Sequence, residues 1–110
     1  MKPIPETFSK NGYHYELERR SAKACIYRQI HRTGKLVAYE VMAIRVRPER
    51  EYHGCILPAC ERLTSNEEWG TYGWTFSGPE AHEQAIRQFK KLQDRPAVPA
   101  RGVLPAEISA

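Results

Sequence analysis

No stretch of this 110-residue chain approaches the roughly 20 consecutive apolar residues that a membrane-spanning helix needs, so no membrane contact is expected. The first twelve residues, MKPIPETFSKNG, have no apolar core of the kind a secretory leader carries. A cytoplasmic location is therefore expected. Cysteine is scarce and odd in number: Cys25, Cys55 and Cys60 cannot all pair within one chain. In a reducing compartment all three are expected as thiols. A glycine-rich phosphate loop is also missing, because Gly70-x-x-Gly73 precedes an aromatic strand pattern and not a helix start bearing Lys and Ser or Thr. No cofactor is expected on these grounds.

What is present describes one small domain. The chain is 41% hydrophobic and 27% charged, ordinary values for a globular protein, and its length suffices for a single core. Its net charge of +4 is unevenly spread: residues 23–50 hold seven basic side chains against two acidic ones. The positive field thus belongs mainly to one predicted hairpin.

Residues 1–12 carry Pro3 and Pro5 and end in the turn dipeptide Asn11-Gly12, which predicts an extended lead-in. Tyr13 to Arg19 alternates, with Tyr13, Tyr15 and Leu17 on one face, and reads as a half-buried strand. Ala24 to His31 is a second strand. After the turn signal Thr33-Gly34, Leu36 to Val46 is a long third strand, central or bulged midway because its apolar residues fall on both parities. Residues 49–68 lose all periodicity and are expected as a long loop, a kind of segment that often carries function.

Trp69 to Phe76 reads as a fourth strand, with Gly70 and Gly73 permitting a bend. Ser77 with Glu80 three residues on matches a capping box, and Pro79 suits a first helical turn. Ala81, Ala85, Ile86, Phe89 and Leu92 then form one apolar helical stripe. Residues 94–110 hold Pro96, Pro99 and Pro105 and predict a disordered tail. The expected fold is α+β: an antiparallel sheet of about four strands with one C-terminal amphipathic helix on one face, in the order β-β-β-loop-β-α over residues 13–93. One helix covers one face, so the other is expected to be solvated or to meet a partner.

The residues Leu57-Pro58-Ala59…Glu61, Ser65…Trp69-Gly70…Gly73-Trp74-Thr75-Phe76 and Ala85…Phe89…Leu92 resemble small uncharacterised proteins carried by phages and mobile elements. Tyr13-x-Tyr15-x-Leu17 and Tyr39-Glu40-Val41 extend the resemblance over most of residues 7–92. It implies a phage or mobile-element origin and action on a host component, without naming a chemistry. A lesser similarity, through Trp69-Gly70 and Gly73, is to the WGR domain, a DNA-end-binding module of repair proteins. Here Thr71 stands where that motif has its arginine and the helix follows too soon, so no residue roles transfer.

Four constellations stand out as candidate sites. Arg28, Arg32, Lys35, Arg45 and Arg47, interleaved with Tyr27 and Tyr39, combine cations and stacking rings as single-stranded nucleic-acid binders do; the alternative is a solvated face whose arginines discourage edge pairing. His53, Cys55 and Cys60 are the best candidate metal ligands, but no fourth ligand is close in sequence, and small apolar anchoring is the commoner fate of free cysteine. No metal is expected. A Cys25–His31 dyad is excluded along one strand, since six residues span roughly 20 Å. Tyr52, Ile56, Leu57 and Trp69 are candidate partner-contact residues on or beside the 49–68 segment, with Trp69 expected as the more exposed tryptophan and Trp74 and Phe76 as core.

These features predict a small non-enzymatic binding protein, monomeric or a small homo-oligomer, that contacts a host protein. The alternative is a nucleic-acid-binding module using the basic hairpin 23–50.

Overall fold

The computed structural model describes residues 1–64 and 68–94. The predicted tail beyond 94, and residues 65–67 of the segment preceding Trp69, lie outside the described residues. Among the described residues nine strands precede one helix: β1 Thr7–Lys10, β2 Tyr13–Arg20, β3 Ala24–His31, β4 Leu36–Ala43, β5 Arg45–Arg47, β6 Arg50–Tyr52, β7 Cys55–Leu57, β8 Cys60–Arg62, β9 Gly73–Phe76 and α1 Ala81–Asp94. The main sheet is antiparallel with five strands in the order β1-β2-β3-β4-β9. The α+β class of the sequence reading therefore holds, while the four-strand β-β-β-loop-β-α order does not. The lead-in contributes an extra edge strand, and the expected loop contains three short strands.

The extra strand β1 forms because Asn11 and Gly12 both adopt left-handed backbone, with φ of 54° and 84°. That is the two-residue turn whose twist matches flanking antiparallel strands. It sets Lys10 against Tyr13 and Phe8 against Tyr15, where the two rings stack at 4.6 Å between centroids.

Period-two alternation sends each strand's side chains to two faces, and both faces are buried. Under the helix, Ala24, Ile26, Val41 and Ala43 meet Ala85, Phe89 and Leu92, with Tyr39, Trp74, Phe76 and Ile86 at the margin. This matches the predicted stripe. The capping box does not form: α1 begins at Ala81, whose N–H donates to Gly78 O at 3.2 Å, so the Ser77–Glu80 stretch is a turn leading into the helix.

On the far face, Tyr15, Cys25, Tyr27, Met42 and Ile44 are closed over by Ile4, Phe8 and Leu63. That face is therefore not the open surface expected from a single helix. The chain covers it with its own N-terminal segment. Lys2 N–H donates to Ala59 O at 3.3 Å, Glu61 N–H donates to Lys2 O at 2.8 Å, and Ile4 N–H donates to Glu61 Oε1 at 3.0 Å. Arg20 grips the same carboxylate through two hydrogen bonds of 2.6 and 2.7 Å, and these hold the Glu61 carboxyl below its ordinary value.

The long third strand of the sequence reading is β4 running on into β5, with Ile44 between them out of strand geometry. Up to Ala43 the chain lies centrally between β3 and β9. Beyond Ile44 it leaves the sheet. The fourth strand is shorter than expected, Gly73–Phe76, because residues 68–72 form a tight loop in which Gly70 N–H donates to Gly73 O at 2.7 Å.

Candidate functional site

Most of the segment that the sequence predicts as a long loop, residues 49–68, belongs to one hairpin arm, residues 45–62. β5 pairs with β8 and β6 pairs with β7 in a single register: Arg45 opposes Arg62, Arg47 opposes Cys60, Arg50 opposes Leu57 and Tyr52 opposes Cys55. Pro48 and Pro58 interrupt the ladder between the two short ribbons, as residues without an N–H must. The tip is His53-Gly54, with φ of 50° and 78°, the same turn geometry as Asn11-Gly12. A histidine adopts that backbone at some cost, and Gly54 at none.

The base of the arm is clamped. Glu68 pairs with Arg45 and with Arg62, the latter at 3.0 Å, so one carboxylate ties β5 to β8. The Arg45 guanidinium also lies over the Tyr72 ring, 4.7 Å from its centroid. Tyr72 O accepts from Ala43 N–H and from the buried Thr64 hydroxyl, both at 2.8 Å. Sheet, arm and the 68–72 loop are thus joined at one point.

Beyond the clamp the arm is bare. Every residue from Pro48 to Ile56 is exposed. Ile56 keeps 69% of its surface, Tyr52 58% and Val46 47%. Tyr52 is braced at its own end of the arm by the His53 ring at 4.2 Å and by Arg50, whose guanidinium lies 5.9 Å from the ring centroid. Leu57 is half-buried.

Trp69, the fourth candidate contact residue, sits at the base and not at the tip. It is 37% exposed, and its ring lies flat enough against Gly73 that a Cβ there would fall 2.6 Å from two ring carbons. Trp74 and Phe76, expected as core, are half-buried at the margin of the helix-side core.

The basic residues do not converge on one strip. Tyr27 is fully buried on the far face and its hydroxyl donates to Pro5 O at 2.6 Å, which corrects the expectation that it offers a stacking ring. Arg28 and Tyr39 are cross-strand partners on the opposite face, beside the helix. Arg28 donates to Glu16 at 2.9 Å, and the Tyr39 ring lies 5.0 Å from that of His82, which in turn bonds Glu18 at 3.0 Å. Arg32 and Lys35 are exposed in the β3–β4 turn. Arg45 and Arg47 belong to the arm base. Alternation along the strands is the physical reason, since successive positions along one strand point to opposite faces.

The metal candidates separate similarly. His53 and Cys55 are at the tip, whereas Cys60 lies in β8 opposite Arg47, five residues and roughly 16 Å further along the chain. Among the described residues no group of three potential ligands is gathered. Cys25 and His31 stand at opposite ends of β3. The Cys25 thiol is buried, donates to Met42 O at 3.6 Å, and is pushed up to about 12 by desolvation.

One further polar group is notable on the far face. Glu40 is half-buried, with Oε2 enclosed and unpartnered, and burial raises its carboxyl above the ordinary value while Lys10 and the Tyr15 hydroxyl act against the rise. Tyr15 also accepts from the Gln29 amide at 3.0 Å.

The sequence reading missed Val46, the clamp of Arg45, Glu68 and Arg62, and Tyr72. The available signal was His53-Gly54, a two-residue turn pair at the exact centre of a segment flanked by prolines at similar distances. Among the described residues no helix is long and apolar enough to cross a membrane. Comparison of the chain with protein-family models, with curated proteins and with solved structures finds no match.

Proposed function

We propose that the chain is a small non-enzymatic binding protein that acts by contact with another protein through the arm, residues 45–62. The observation that carries this reading is the unbroken exposed run from Pro48 to Ile56, with Tyr52 and Ile56 presented on a ribbon whose base is held by the Glu68 clamp. Exposed aromatic and aliphatic side chains on a braced support are what a protein contact uses, because little ordering entropy is lost when they are covered. The resemblance to phage-borne proteins suggests that the partner is a host protein, with the contact made in the cytoplasm.

The nucleic-acid reading draws less support, because Arg28 and Arg45 are engaged by acidic neighbours and Tyr27 is inside. Affinity capture from nuclease-treated host lysate separates the two. Binding through the arm predicts that a captured protein survives nuclease and is weakened on the order of tenfold or more by Tyr52→Ala with Ile56→Ala, while Lys90→Ala on the exposed side of α1 changes nothing. Capture that vanishes with nuclease, or is indifferent to the arm substitutions, would defeat the proposal.

A further inference from the structure

Among the described residues, the arm has two free edges of different character. In a two-residue hairpin the residues flanking the turn, here Tyr52 and Cys55, form a hydrogen-bonded pair. Alternation then makes Glu51 and Ile56 a non-bonded pair, whose N–H and C=O groups point outward from the ribbon. Along the β7 side this outward residue is Ile56, flanked by Cys55 and Leu57. Along the β6 side it is Glu51, flanked by Arg50 and Tyr52.

Further down the β7 side the edge is closed, because Lys2 pairs with β8 beside Cys60, and Pro58 offers no N–H. The open stretch is therefore three residues long and apolar. A two-stranded ribbon is marginal by itself, and a third or fourth strand is what makes such a ribbon stable.

From these features we infer that β7 pairs with β7 of a second copy of this chain, antiparallel and about a two-fold axis at Ile56. The pairing is self-complementary. Ile56 N–H donates to the Ile56 C=O of the other copy and the reverse bond forms by symmetry, while each Cys55 faces the other copy's Leu57. The product is a four-stranded ribbon β6-β7-β7-β6 with the two isoleucines side by side on one face. The same operation at β6 sets Glu51 against Glu51, a like-charge opposition that disfavours it. No side chain along β7 carries a charge, and no lysine or inward bulge blunts that edge as edge strands usually require. The second copy is favoured as occupant because a single outward residue can satisfy its own symmetry mate with no further sequence.

This inference rests on the arm being a contact element, and its test needs no other protein. The full chain is examined by sedimentation equilibrium from about 1 µM to about 1 mM, a range suited to a contact of small area. A reversible monomer–dimer equilibrium is expected. Ile56→Pro removes the outward donor while sparing the β6–β7 bonds and should shift the equilibrium toward monomer by tenfold or more, and Glu51→Ala should leave the dimer intact. Register is read with Leu57→Cys in a Cys60→Ser background, oxidised with glutathione disulfide: linkage of residue 55 in one copy to residue 57 in the other is expected, since facing non-bonded positions bring Cβ atoms within disulfide reach.

A chain that is monomeric throughout, open-ended assembly without a dimer plateau, or linkage only between like positions would each overturn the pairing. A monomer that still loses its host partner on Tyr52→Ala would overturn the pairing and leave the contact reading in place. A dimer that captures no partner would do the reverse.

Discussion

Replacing Gly73 with alanine tests whether the base of the arm is built as described. An ideal Cβ at this position lies 2.6 Å from Cε3 and Cζ3 of Trp69 and 3.2 Å from Cγ2 of Thr64. Ordinary carbon–carbon contact is at about 3.5–4.0 Å, so the overlap with the indole is about 1 Å. The backbone cannot yield easily, because Gly73 opposes Met42 in the β4–β9 ladder and its carbonyl accepts from Gly70 N–H. The indole is the softer partner, being 37% exposed with a way out to solvent.

Two costs compete. Keeping the ring in place strains the core by about 1–3 kcal/mol. Expelling it uncovers some 100–150 Å² of apolar surface, or about 3 kcal/mol at 25 cal/mol/Å². The lesser cost governs, so Gly73→Ala should destabilise by about 2 kcal/mol and lower the melting temperature by roughly 8–15 °C. Urea unfolding followed by tryptophan emission measures both consequences. The midpoint should fall, and the native emission should stay close to the parent's, because the strained ring keeps its place. A variant with the parent's midpoint would refute the packing of Trp69 on Gly73.

Glu40→Gln should raise stability at neutral pH, because its folded-state carboxyl sits above the ordinary value through burial. For a carboxyl raised on folding, the stabilising contribution is present below the unfolded value and is lost as pH rises through the folded one. The advantage of the variant should therefore shrink toward zero on acidification, and denaturation midpoints across pH would expose any opposite trend. Of the thiols, exposed Cys55 should react first with a disulfide reagent at neutral pH, while Cys25, buried and held up to about 12, should react only on unfolding. Mass mapping that finds Cys25 labelled as fast as Cys55 in the native chain would contradict the far-face core.

The elements that were legible are those whose apolar residues either repeat at a structural period or run on unbroken. β2 and α1 announce themselves because Tyr13, Tyr15 and Leu17, or Ala81, Ala85, Phe89 and Leu92, repeat at the period of their structure, and β3 and β4 because they are rich in β-formers on both parities, being buried on both faces. β1 carries only Phe8 as an inward residue, too little for a pattern, and is fixed instead by the Asn11-Gly12 turn. The arm is illegible by hydrophobic period for a related reason: from Pro48 to Ile56 both faces are wet, so nothing selects alternation. Its evidence lies in turn chemistry and register.

Covering of the far face by Ile4 could not be read because Lys2 pairs with Cys60 across 58 positions of sequence. Likewise the basic residues looked like one patch only while their strands were read as a line. Folding sends Tyr27 and Arg28 to opposite faces. By contrast, naming Tyr52 and Ile56 as candidate contact residues needed only their place in a segment without a core period; both are exposed.

The most direct test of the arm as the contact surface is site-specific photo-crosslinking in host cells. A photoreactive residue is placed at position 52, at the tip, and in a separate variant at position 87, on the exposed side of α1. The account predicts a discrete adduct with a protein other than this chain from position 52 and none from position 87. Adducts from position 87 alone, or the same adducts from both positions, would contradict it.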